Sequence, residues 1–153
     1  PMLSPELTSF ILTTNLVTTL YMTGLIWFVQ LVHYPLMASV GEARYVDYQT
    51  AHMSRTTWAV GPAMLVEAGS ALALVFCLPI GTQLALAWRA FALLVIIWIA
   101  TAIFSVPAHQ KLLSAFNPKA HRRLVLTNWV RTIGWTARAI IVVCIFHYQH
   151  TQA

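Results

Sequence analysis

Charge is what this sequence has least of. Charged side chains make up 8% of its 153 residues, and only four of them, Glu6, Glu42, Asp47 and Glu67, are acidic. An ordinary soluble domain carries roughly 25%. With 59% of the residues hydrophobic, no water-facing surface can be assembled, and the chain reads as an integral membrane protein whose partner is the lipid bilayer. Cysteine is scarce too: Cys77 and Cys144 sit singly in apolar runs with no CxxC, so they read as small core residues. A glycine-rich phosphate loop, a serine nucleophile elbow and an HExxH motif are all missing, which argues against ATP hydrolysis and conventional serine hydrolysis and leaves no motif that fixes a metal geometry. The net charge of +5 does not form a stripe; its basic residues are divided between short loops and apolar segments, so nucleic acid is not a partner. No Lys or Arg precedes the first apolar run in PMLSPELTSF, so the basic head of a cleaved signal peptide is lacking and that run is expected to be retained.

What the chain does have is four apolar stretches, Phe10 to Val32, Trp58 to Leu78, Leu84 to Val106 and Val125 to Phe146. Each is close to the length that crosses a hydrocarbon core of about 30 Å. They predict an all-α fold, an integral membrane four-helix bundle occupying residues 1–153 as a single transmembrane domain, with two amphipathic connecting segments on the cytoplasmic side. Pro35, Pro79 and Pro107 fall at the ends of the first three spans, where a missing backbone donor is tolerated. Pro62 lies one turn inside the second span and predicts a local distortion.

The connection from Ala38 to Thr57 places Tyr45, Tyr48, His52 and Arg55 on one helical face. In the connection AHQKLLSAFNPKAHRR, Asn117 reads as an N-cap and Pro118 as a first helical residue, so the fourth helix is expected to start there, outside the membrane. Arg44, Arg55, Lys111, Lys119, Arg122 and Arg123 share one side, while the opposite side has only Arg89. Short cytoplasmic loops retain Lys and Arg, so both termini are expected outside the cytoplasm, in a bacterial inner membrane. The two hairpins, with equivalent long loops, suggest a weak structural pseudo-symmetry.

Ionisable residues within a span cost about 2.5–3.5 kcal/mol on insertion scales, so Glu67, Arg131 and Arg138 must face inward, toward partners or a wet cavity. Counting about 1.5 Å per residue puts Glu67 about 15 Å, Arg131 about 9 Å and Arg138 about 20 Å from the cytoplasmic boundary. Glu67 is in reach of either arginine: as a structural ion pair, or as part of an anion, quinone or proton site. Asn128, on the same polar face of the fourth helix, donates and accepts at once. His33, His52, His109 and His121 converge at the cytoplasmic ends of the bundle, where interfacial hydrogen bonding competes with ligation of a transition metal or a haem iron. His147 and His150 lie at the far end of the fourth helix.

The segments GLIWFVQLVHYPLM, TTWAVGPAMLVEA, PAHQKLLSAF and HRRLVLTNWVRTIGWTAR resemble those of small bacterial four-span membrane proteins of unknown function. More loosely, the chain is similar to the anthrone-oxygenase-like membrane family. Pro107 and Leu112 after the third span, with Asn128 and Arg131 opening the fourth, carry that likeness; His109 stands where that family has a more amide-rich pattern. The resemblance implies the four-helix architecture.

The leading functional expectation is a membrane redox protein or oxidoreductase acting on a lipophilic small molecule or quinone. In it, His33, His109 and His121 hold the cofactor, a transition metal or haem, and His52 is a fourth ligand or proton-transfer group. Glu67, Asn128, Arg131 and Arg138 are the catalytic candidates. A small proton-coupled transporter using Glu67 and the two arginines is the first alternative. The second is a non-catalytic accessory subunit of a larger membrane complex or homo-oligomer.

Overall fold

The computed structural model describes residues 4–79 and 81–151, with only the backbone of His150. Among these residues every regular element is helical. Four helices are long and apolar enough to cross a membrane: α1 (Pro5–Met37), α2 (Glu42–Cys77), α3 (Thr82–Leu112) and α4 (Pro118–Thr151). They pack as a bundle in which α1 touches α2 and α4, and α3 touches the same two, so sequence neighbours are spatial neighbours.

Local chemistry sets the ends. Ser4 Oγ accepts from the Leu7 amide at 3.3 Å ahead of Pro5, and Asn117 Oδ1 accepts from the Ala120 amide at 2.9 Å ahead of Pro118. Each is an N-cap followed by a proline in the first turn. Gly81, at φ 149°, makes the reversal into α3 in a conformation that side chains disfavour. The first connection is not a separate element. It is the beginning of α2, whose 36 residues extend about 54 Å at 1.5 Å per residue, well beyond a hydrocarbon core. The helix runs through Pro62 without interruption.

Buried side chains form three layers along the bundle. Tyr34, Met37, Tyr45, Leu112 and Leu124 fill the basic end; Met22, Ile26, Met64, Ile97 and Trp135 fill the middle; Leu12, Leu74, Leu78, Ala87 and Ile145 fill the other end. α4 packs tightly on α3 at Gly134, where an added Cβ would stand 2.8 Å from Ile97 Cγ1.

The two odd-numbered helices share one irregularity. α1 passes through a π-helical turn at Val29–His33, with the Tyr34 amide bonded to the Val29 carbonyl; α3 does the same at Thr101–Ser105, with the Val106 amide on the Thr101 carbonyl. Pro35 and Pro107 follow one residue later. A proline ring clashes with the carbonyl four residues back and offers no N–H; the wider turn before it relieves both problems and rotates the side chains that precede it. The two hairpins thus share a π turn ahead of a proline in their first helices.

Candidate functional site

Two polar networks lie inside the bundle at different depths. The deeper one centres on Glu67 and Arg138, both 0% exposed. Arg138 Nε donates to Glu67 Oε1 at 2.9 Å, Thr19 Oγ1 donates to the same oxygen at 2.9 Å, and Trp135 Nε1 donates to Oε2 at 3.1 Å. The remaining guanidinium nitrogens reach the Ala90 carbonyl at 2.7 Å and Asn15 Oδ1 at 3.2 Å. Asn15 in turn donates to the Glu67 carbonyl and Ser70. All four helices are joined, and each charged atom has a partner. The adjoining void of about 10 Å³ holds one water at most, too little for a substrate.

The second network lies nearer the basic end, around Asn128 and Arg131 of α4. Asn128 Nδ2 donates to Gln30 Oε1 at 2.9 Å, and Asn128 Oδ1 accepts from an Arg131 terminal nitrogen at 3.0 Å. The same nitrogen reaches Ser105 Oγ at 3.3 Å. Gln30 and Ser105 are the buried residues of the two π turns, so the widened turns supply the groups that hold α4's polar pair. Arg131 is 7% exposed, and among the described residues the ion pair of Glu67 is with Arg138, not with Arg131. Its Nε has no hydrogen-bond partner. Its Cζ stands 5.4 Å from the centre of the Trp135 ring, so among the described residues this buried guanidinium rests on neutral hydrogen-bond partners and an aromatic face rather than on a carboxylate.

Arg131 borders a cavity of about 240 Å³. Met22, Ile26 and Met64 give it apolar walls; Tyr34, His52, Ser105 and His109 give it a polar end. Tyr34 OH lies 3.0 Å from His109 Nε2, and Gln49 Nε2 donates to His109 Nδ1 at 2.9 Å. That arrangement puts the ring hydrogen on Nε2, donated to the Tyr34 oxygen, and frees the phenolic hydrogen for the cavity. Turning the Gln49 amide over gives its otherwise unpartnered Oε1 a bond from Nδ1–H and makes Tyr34 the donor to Nε2. Two proton arrangements fit the same heavy atoms.

His52 borders this cavity and also a second pocket at the basic end, formed with His33, Tyr48 and Arg55. His33 Nε2 and His52 Nδ1 are 2.9 Å apart with their rings stacked at 4.6 Å, and Thr56 Oγ1 is 3.1 Å from the same Nδ1. With Nδ1 accepting, the His52 hydrogen sits on Nε2. The rings of His52 and His109 follow at 5.2 Å.

Three of the four predicted histidines therefore come together, His33, His52 and His109. His121 stands apart: its Nε2 bonds the Tyr34 carbonyl at 2.7 Å, and its ring lies against Phe116. The donor set does not fit the expected metal or haem. Both ring nitrogens of His109 are engaged, two stacked imidazoles cannot stand on opposite faces of a porphyrin, and among the described residues no three His, Cys, Asp or Glu side chains are grouped to hold an ion. Hydrogen bonding is the arrangement these histidines adopt. His147 is at the opposite end of α4, and the side chain of His150 lies outside the described residues.

Sequence reasoning missed Gln30, Tyr34, Gln49 and Ser105. Gln30 carries the one available signal, an amide inside an otherwise apolar run; the π turn that aims it has none. No family model, curated protein or solved structure matches the chain.

Proposed function

We propose that the chain is a membrane oxidoreductase acting on a lipophilic molecule with a carbonyl or oxyanion head, a quinone being the simplest example. The observation that carries this reading is Arg131, buried, without a carboxylate partner, on the wall of an otherwise largely apolar cavity. Such sites are apolar pockets with a few convergent polar groups. Arg131 and the Tyr34 hydroxyl serve as the donors for the head oxygen, which gains negative charge as it accepts electrons. Ser105, Asn128 and Gln30 hold Arg131 in place.

Quinone chemistry couples electrons to protons, and a proton route stands beside the site. Tyr34 hands a proton to the head oxygen and recovers one from His109, whose alternative tautomer Gln49 supports. His52, which lines both this cavity and the pocket at the basic end, and His33 beside it mark where protons would pass between the two spaces. The electron pair arrives with the second proton, as a hydride equivalent from a reductant of the dihydroflavin class outside the chain, so that quinone, hydride and the Tyr34 proton sum to the hydroquinone. In this reading the basic end faces the cytoplasm of a bacterium, both termini face away from it, and the chain sits in the inner membrane.

A transporter built on Glu67 is supported less well, because both carboxylate oxygens are held in a closed network. The test is organic extraction of the protein purified from membranes, followed by mass spectrometry. The reading expects a lipid-soluble oxygenated compound that co-purifies with the wild-type chain and is depleted from Arg131→Leu. Equal amounts in both preparations would count against it.

A further inference from the structure

We propose that the ligand enters the cavity sideways from the bilayer, between α2 and α3, and that its hydrocarbon tail rests in this opening beside Gly61 while only its head lies inside. The inference rests on the lipophilic-substrate reading above and adds the ligand's shape and route.

The cavity is too small for a whole long-tailed lipid-soluble molecule. Pockets that enclose drug-sized ligands run from about 300 to 1,000 Å³, and this one measures about 240 Å³. It holds a single substituted ring, so a tail must leave it. The two lining residues that are exposed outright are Thr57 on α2 and Val106 on α3; of the part-exposed ones, six lie on these same two helices and two, Leu25 and Val29, on α1. The seam between these two helices is the sparsest of the four in the bundle. At Gly61 there is no side chain, and a Cβ placed there meets nothing within 4 Å. On the facing helix the π turn Thr101–Ser105 widens the backbone at the same mouth.

Depth identifies the medium outside. Gly61 lies one turn inside the second apolar stretch, near its basic end, and the neighbouring large apolar side chains Trp58 at 79%, Leu65 at 67% and Ile103 at 55% exposure suit the membrane interface and the acyl chains beneath it rather than bulk water. An opening at that level admits molecules already dissolved in the membrane. It also places a tail along hydrocarbon while the head reaches Arg131 and Tyr34.

The test uses the full chain in lipid nanodiscs and two probes, a benzoquinone with a decyl tail and the same ring without it, followed by quenching of tryptophan fluorescence. Gly61→Phe fills the opening from α2, and Val106→Phe fills it from α3, so a folding failure in one leaves the other. The tailed probe is expected to bind either variant about tenfold more weakly than wild type, with a clearly smaller change for the tailless ring. If the tailed probe binds wild type and both variants alike, lateral entry is wrong and the head site stands. If neither probe binds the wild-type protein, the substrate reading and this inference fall together.

Discussion

Glu67 takes Arg138 as its ion-pair partner, Oε1 to Nε at 2.9 Å, and thereby leaves Arg131, two turns away on the same helix, with no carboxylate of its own among the described residues. The two arginines of α4 thus have different work. Arg138 closes a saturated network that ties the four helices together; Arg131 keeps an unmet donor beside a cavity.

Breaking the Glu67–Arg138 pair from one side strands a buried charge. Glu67→Gln or Arg138→Met alone is expected to cost about 3–5 kcal/mol of stability, and the double variant markedly less than the sum. Thermal unfolding in detergent measures this; additive losses would show that the two residues do not act as a unit.

Asn128→Asp puts a carboxylate where an amide now accepts from Arg131 and removes the donor to Gln30. The new charge neutralises Arg131 without emptying the site. Affinity for an anionic hydroxyquinone is expected to fall about tenfold or more, while the lost bond to Gln30 costs about 1–3 kcal/mol of stability, offset in part by the new ion pair with Arg131. Calorimetric titration checks the first and unfolding the second; undiminished affinity would remove Arg131 from the ligand site.

His52→Phe keeps an aromatic ring against His33, Tyr48 and His109 but breaks the His33 bond. Ligand affinity is expected to hold within about twofold, while turnover with a quinone and a chemical reductant slows and acquires a larger solvent deuterium isotope effect. Unchanged turnover would mean that protons reach the cavity by another way.

Gly134→Ala drives a methyl into Ile97, whose Cγ1 stands 2.8 Å from the new Cβ. Overpacking of this kind costs about 1–3 kcal/mol, and Ile97→Val in the same chain is expected to return part of it. Chemical denaturation of the single and double variants decides; a neutral Gly134→Ala would show that α3 and α4 separate easily there.

The architecture was legible because lipid leaves few choices: four apolar runs of the right length must be four helices. The Asn117–Pro118 start of α4 was legible for a local reason, a cap followed by a residue that fits the first turn. Other features depend on information that side-chain periodicity does not carry. The helical face of Tyr45, Tyr48 and His52 is continuous with the span after it, so nothing in the pattern separates a connecting segment from the start of α2. A π turn differs from an α turn by one hydrogen-bond step over five residues, too short for a period to register. Gln30, Tyr34 and Ser105 therefore passed unnoticed, although they position Arg131 and shape the polar end of the cavity. His121 shares the depth of the other histidines but faces the Tyr34 carbonyl, a distinction that sequence spacing does not make.

The central claim, that Arg131 and Tyr34 bind the head of a lipophilic oxygenated ligand, is tested most directly by titrating the decyl benzoquinone into nanodiscs holding wild type, Tyr34→Phe or Arg131→Leu. The account predicts saturable binding at one molecule per chain for wild type. It predicts affinity about tenfold or more weaker in Arg131→Leu and a smaller loss in Tyr34→Phe. Saturable binding that is equal in all three proteins, or none in the wild type, would contradict it.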